Sequence, residues 1–421
     1  MEIMASLSIN NNILVVSCGT KVLVSNRNED TFNILEPPGL VGKIADKMDS
    51  DEEVKSEQKD TPASVVCVDL SRCNKWLAVC SSNKQLSLWS ADNRSLLSNR
   101  VLTRTASKVK FTPSGRGVVV ADKSGDAYLY SVQNPESEGD FLLGHLSMLL
   151  DVLITSEENY IITCDRDEKI RVSLFPNSYN IQSFCLGHTE FVSCIALVPH
   201  CAYVLVSGSG DGTLRFWNYV NGCQLSMIEC SRNINMHCFS GNFLKQNTKQ
   251  HTGGVEVSED SNTQQSDICV SSNSLAVTQF SSCAIDKNSS LIAACISRFD
   301  GIAVYHVSGG TSNITVNFLE VVTIGVEPWA VHFSGVLLWC LAAKENHPLS
   351  VFEFSYDSLH FEFIKDNCDK KNLNILSQVN NKWELFKDIC APSLTPILYK
   401  RTVDNLQEYQ EKKKARLASN I

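Results

Sequence analysis

Two histidine–aspartate pairs and one dense charged run are the residues of this chain best suited to chemistry. His145 and Asp167 lie 22 residues apart, and His188 and Asp211 lie 23 apart. An imidazole beside a carboxylate can move protons. It can equally be a buried hydrogen bond that holds a turn and fixes the imidazole tautomer. The second reading is favoured, because the pair recurs whereas an active site occurs once, and no nucleophile motif accompanies it. The charged run is Asp165-Arg166-Asp167-Glu168-Lys169-Ile170-Arg171. Its chemistry alone reads as a solvated edge, although a mixed-sign cluster is also how a specific, salt-sensitive protein contact looks. The 17 cysteines are odd in number, scattered through apolar runs and never spaced C-x-x-C, so they read as buried reduced thiols and not as disulfides or metal ligands. No G-x-G-x-x-G opens a helix after a strand and no Walker pattern exists, so neither a nucleotide nor a metal is expected as a resident cofactor.

The elements that carry these residues repeat. Leu143-Gly144-His145 and Leu186-Gly187-His188 lie 43 residues apart, and Asp167 and Asp211 lie 44 apart. Trp89, Tyr130, Ser173 and Trp217 follow at intervals of 41, 43 and 44. A period of about 40–45 residues with Gly-His and Trp-Asp-type signatures marks the blade of a WD-repeat β-propeller. The fold expected is therefore all-β, a seven-bladed propeller over residues 1–365 with a C-terminal helical tail. His145, Asp167, His188, Asp211 and Trp217 are its structural blade residues. Gly210-Asp211-Gly212 and Ser124-Gly125-Asp126 supply tight hairpin turns. The apolar–polar alternation over residues 7–27 predicts a hairpin that both belongs to the first blade and completes the last, closing the ring.

Two stretches lose the pattern, about 28–62 and 231–267. The first is rich in charge and poor in apolar residues, so both read as flexible insertions. Residues 366–421 form a C-terminal extension. From Leu398 to Leu417 it lacks Gly and Pro and predicts a helix ending in Lys412-Lys413-Lys414-Ala415-Arg416. The net charge of −9 opposes nucleic acid and anionic membranes over most of the surface, so any RNA contact must be a local basic patch or come from a partner. No signal-peptide pattern opens the chain and no apolar run approaches a membrane span, which points to the nucleus or cytoplasm.

Several stretches resemble one family closely. They are Val120–Asp126, Leu143–Val152, Asp165–Ser173, Ser183–Ser193 and Ser209–Arg215. They are similar to the WD-repeat, non-catalytic subunit of the heterodimeric tRNA (guanine-N7)-methyltransferase, and they include side chains that blade architecture does not require. The resemblance implies a chain that does no chemistry. It would bind and stabilise a catalytic subunit, which itself holds S-adenosylmethionine and forms N7-methylguanosine in the variable loop of tRNAs. It further implies that Lys123, Arg166, Glu168, Lys169 and Arg171 face that partner, that Lys412, Lys413, Lys414 and Arg416 help grip tRNA, and that the protein is nuclear. The alternative is a general WD-repeat scaffold, such as a substrate receptor of a ubiquitin ligase, because fold alone does not determine function. An enzyme in the central channel would need convergent ionisable residues there, and the sequence shows none beyond the repeated turn Asp.

Overall fold

The computed structural model describes residues 5–9, 13–26, 32–38, 63–234, 275–356, 358–363, 370–387 and 395–400. The basic tail and most of the two irregular stretches lie outside these residues. Seven four-stranded antiparallel sheets follow one another along the chain, over 5–35, 65–101, 106–144, 149–185, 192–229, 277–323 and 328–363. Each is a meander of four strands consecutive in the chain. The expected seven-bladed propeller is therefore observed. The strand β4, Phe32–Leu35, falls inside the predicted first insertion.

The blades are held by their seams. Each seam has its own apolar core, to which the first strands as well as the middle strands of neighbouring blades contribute. Between blades three and four, Val119, Ala121 and Leu143 meet Leu149, Val152 and Ile161. Between blades four and five, Ile162, Ile170 and Val172 meet Leu205 and Trp217. A blade's middle strands are thus covered on both faces, which explains runs such as Val118-Val119-Val120 and Leu291–Ile296 that do not alternate. Around the channel, side chains of the innermost strands tie one blade to the next. Asp69 Oδ2 accepts from Phe111 N at 2.8 Å, Asp151 Oδ2 from Ile195 N at 3.1 Å, and Ser281 Oγ from Phe333 N at 2.9 Å. Lys110 and Lys108 neutralise Asp69 and Asp151 at 3.0 and 3.4 Å.

Ring closure differs from the sequence expectation. The N-terminal strands complete their own blade and lend nothing to the last one, because blade seven already has four strands of its own. The inner strands β1 (Ala5–Ile9) and β25 (Pro328–Ser334) pack together without sharing a sheet. A helix then covers this seam: α1, Lys370–Asn380, with the 3-10 turn Trp383–Leu385 behind it. Ile375, Val379 and Phe386 are buried among Leu14, Val16 and Leu23 of blade one and Trp339 and Leu349 of blade seven. Asn380 brackets Leu349, accepting from its N at 3.0 Å and donating to its O at 3.2 Å. On the other side the Cys18 thiol donates to Leu385 O at 2.7 Å. Residues 370–387 of the C-terminal extension therefore help close the ring, where the mixed polarity of 366–396 had shown only a lapse of the strand pattern.

Candidate partner-binding face

Blade five shows what the repeated His–Asp pair does. His188 Nδ1 lies 2.9 Å from Asp211 Oδ2, and its Nε2 lies 2.7 Å from Ser207 Oγ, to which Trp217 Nε1 also donates at 2.8 Å. Thr213 N and Oγ1 and Thr189 N donate to the same carboxylate. Burial pushes the His188 pKa down against the pull of Asp211, so the ring is neutral near pH 7. Burial also opposes ionisation of Asp211, but the bonds it accepts outweigh this and hold its pKa well below the usual carboxylate range. The polar atoms of this relay satisfy one another, with His188 and Ser207 buried. It holds a turn.

Blade four uses a different carboxylate from the one its spacing suggests. His145 Nδ1 bonds Asp165 Oδ2 at 2.8 Å and its Nε2 meets Thr163 Oγ1 at 2.8 Å. Asp167 is not its partner. Asp165 ends the strand β14, Tyr160–Asp165, and sits where blade five has Ser209. From there it reaches both the imidazole and Lys169 N, at 2.9 Å. Blade three does the same with Asp122, which accepts from Ser124, Gly125 and Asp126 N. A carboxylate two residues earlier in the turn thus takes over the structural duty and leaves Asp167 at the surface.

The five charged residues that the resemblance assigns to a partner divide into two groups. Lys123 and Lys169 are exposed. Arg166 is half-buried, and its Nε has no hydrogen-bond partner among the described residues. Lys123 makes no ion pair there, and the Lys169 ammonium meets only Asp167 O, at 3.2 Å. Arg171 and Glu168 are held within the chain. Arg171 Nε donates to Ser173 Oγ at 2.9 Å, Nη2 to Ser178 O at 2.9 Å and Nη1 to Gly144 O at 3.2 Å. Ser173 stands where blade five has Trp217, and the small side chain lets the guanidinium fold over it. Glu168 is paired with Lys400, at 2.6 Å.

One connecting loop joins the turns that carry Lys123 and Arg166. His145 N donates to Gly125 O at 2.8 Å, and Arg166 N donates to Met148 O at 3.0 Å. Leu146, between them, is wholly exposed at 106%. A loop bonded at both ends thus presents an apolar side chain between the turns that carry Lys123 and Arg166. Sequence reading passed over Leu146 because it lies in an apolar run, Leu146 to Leu150, that looks like strand. The contacts of Tyr399 and Lys400, more than 180 residues distant in the chain, were not legible in the sequence. Lys412, Lys413, Lys414 and Arg416 lie outside the described residues. Among the described residues no cluster of His, Cys, Asp or Glu could hold a metal.

Fold and site together define a WD-repeat propeller in which the blade histidines His145 and His188 are structural. A family described as "tRNA methyltransferase TRM82 WD40 domain" matches residues 130–334, and a WD repeat matches 55–90. The chain is 31% identical over 412 residues to the tRNA (guanine-N(7)-)-methyltransferase non-catalytic subunit wdr4 of Danio rerio, covering 96% of this chain and 90% of that one. It is also 31% identical to the corresponding subunit wuho of Culex quinquefasciatus, over 87% of this chain and 79% of that one. The chain belongs to this family of non-catalytic methyltransferase subunits. Among solved structures, U3-55K superposes with a TM-score of 0.58 at 14% identity, covering 82% of this chain and 90% of that one, which shows the fold.

Proposed function

We propose that this chain binds and stabilises the catalytic subunit of a tRNA (guanine-N7)-methyltransferase as one half of a heterodimer. It thereby supports N7-methylguanosine formation in the variable loop of tRNAs, in the nucleus. S-adenosylmethionine belongs to the catalytic partner, and this chain holds no cofactor of its own. The observation that carries the reading is the face around Leu146, where Lys123, Arg166 and Lys169 stand without a carboxylate partner among the described residues. Interface anchors of this kind are an apolar side chain set among charges that steer a complementary partner. Assembly with tRNA runs through the complex. With a net charge of −9 the lone chain should bind tRNA weakly and with steep salt dependence.

The test is co-expression with the catalytic subunit, followed by co-purification and a tRNA methylation assay. Reversing Lys123, Arg166 and Lys169 to Glu should abolish co-purification and methylation while the circular dichroism spectrum is unchanged. Full activity of that triple variant would sink the proposal.

A further inference from the structure

The turns joining the second and third strands of blades three and five place glycine in the left-handed backbone region, Gly125 at φ +106° and Gly212 at φ +76°. Blade four has Glu168 there, at φ +70°, and blade two has Lys84, at φ +62°. Side chains adopt this conformation less readily than glycine, and in blade four it brings a carboxylate to the turn. Here the turn offers two carboxylates side by side, and an ammonium group already sits on them. Lys400 Nζ lies 2.6 Å from Glu168 Oε1 and 3.7 Å from Asp167 Oδ1. Asp167 is available because Asp165 holds His145 instead.

The neighbouring residue seats this lysine. Tyr399 donates from its hydroxyl to Gly210 O at 2.7 Å, and its ring stands edge-on to Phe191 at 5.1 Å. A side chain at position 210 would collide with the Phe191 ring, so glycine there leaves both carbonyl and ring open to Tyr399. Residues 395–400 thus lie at the turns of blades four and five. The ion pair itself stays accessible: the side chains of Lys400, Asp167 and Glu168 are 47%, 36% and 31% exposed. An exposed pair of this kind is weak and exchangeable. It also lies beside Arg166 and Lys169, on the face proposed above to meet a partner.

We propose that the blade-four turn is an ammonium- or guanidinium-binding site, occupied by the chain's own Lys400 while the subunit is free and yielded to a lysine or arginine side chain of the catalytic subunit on assembly. This rests on the partner reading of the same face. Tyr399 keeps the segment near, so that Lys400 returns when the partner leaves. Occupation in cis also satisfies two carboxylates that would otherwise lie side by side, unpaired, on the free surface.

The experiment uses the full chain and its Lys400→Ala, Glu168→Gln and Glu168→Lys/Lys400→Glu variants. Hydrogen exchange of residues 395–400 is read in the free chain, and the dissociation constant is measured with the catalytic subunit. Glu168→Gln should deprotect 395–400 and weaken assembly about tenfold or more. Lys400→Ala should tighten assembly about two- to fivefold, the equivalent of one exposed ion pair. The charge-swapped pair should keep 395–400 protected yet fail to assemble, which separates the two roles from a general loss of folding. Weaker or unchanged assembly of Lys400→Ala would overturn the proposal, as would unchanged assembly of Glu168→Gln. Failure of the unaltered chain to bind the catalytic subunit would instead remove the partner reading, while the exchange data would still report on the cis contact.

Discussion

The guanidinium of Arg171 donates to the carbonyl of Gly144, 27 residues earlier, as well as to that of Ser178. It thereby staples the outer strand of blade three to the loop after β15, Ile170–Leu174. A residue expected to face a partner is a fastener between two blades, and its substitution should be felt in stability first. Arg171→Leu strands two carbonyls and the Ser173 hydroxyl, at a cost of about 1–3 kcal/mol. Thermal denaturation should show a fall of several degrees, with partner binding lost as blade four loosens. Lys169→Ala, on the exposed neighbour, should leave the melting temperature in place.

Blade four's corrected pairing gives a second contrast. Asp165→Ala removes the carboxylate bonded to His145 and to Lys169 N, and should destabilise by about 1–3 kcal/mol. Asp167→Ala, two residues on, should fall within about 0.5 kcal/mol of the parent. Denaturant midpoints of the two variants check this directly; equal losses would restore Asp167 as the partner of His145.

The seam between blades one and seven should depend on the C-terminal helix. Phe386 is fully buried there. Phe386→Ala should cost about 3–5 kcal/mol. Deleting residues 370–421 should expose the apolar seam as well. Urea denaturation and dye binding to exposed apolar surface report the two effects, and an unaffected midpoint for Phe386→Ala would show that packing of β1 on β25 closes the ring unaided.

Acid should weaken the fold through its histidines before its carboxylates. Burial pushes the His332 pKa down to about 4, with the Lys110 charge adding to the effect, and its Nδ1 has no partner among the described residues. Burial lowers that of His188 too. In each case the unfolded chain binds the proton more readily, so the contribution is complete above the ordinary value of 6.5 and is lost as pH falls below it, for His332 down to about 4. Asp211 adds to this only below about its ordinary 3.8. Stability measured against pH should decline from 6.5 toward 4, and His332→Asn should flatten that slope.

Leu146 is the apolar centre of the proposed face and touches little of its own chain. Leu146→Asp should leave the melting temperature unchanged and weaken assembly with the catalytic subunit by about 2 kcal/mol or more. Calorimetric titration decides it; an unaltered dissociation constant would place the interface elsewhere.

Some of this protein was already written in its sequence. The Gly-His and Trp-Asp-type period defined the blade, and with it the propeller and the structural role of His188, Asp211 and Trp217, because those signals are local and repeat. The family was legible from runs such as Asp165–Ser173, whose side chains exceed what a blade needs. What tertiary structure decided depends on contacts remote in the chain. Sequence spacing paired His145 with Asp167, but the imidazole bonds the carboxylate that strand register brings to it, Asp165. Alternation predicted a closing hairpin, but the last blade supplies its own fourth strand and a helix covers the seam. Five charges looked alike along the chain. Only folding separates Arg171 and Glu168, bound to groups up to 232 residues away, from Lys123, Arg166 and Lys169, which are left to the solvent side. Charge and spacing say which side chains can form an ion pair or hydrogen bond, but the geometry of the closed ring selects the partner each one finds.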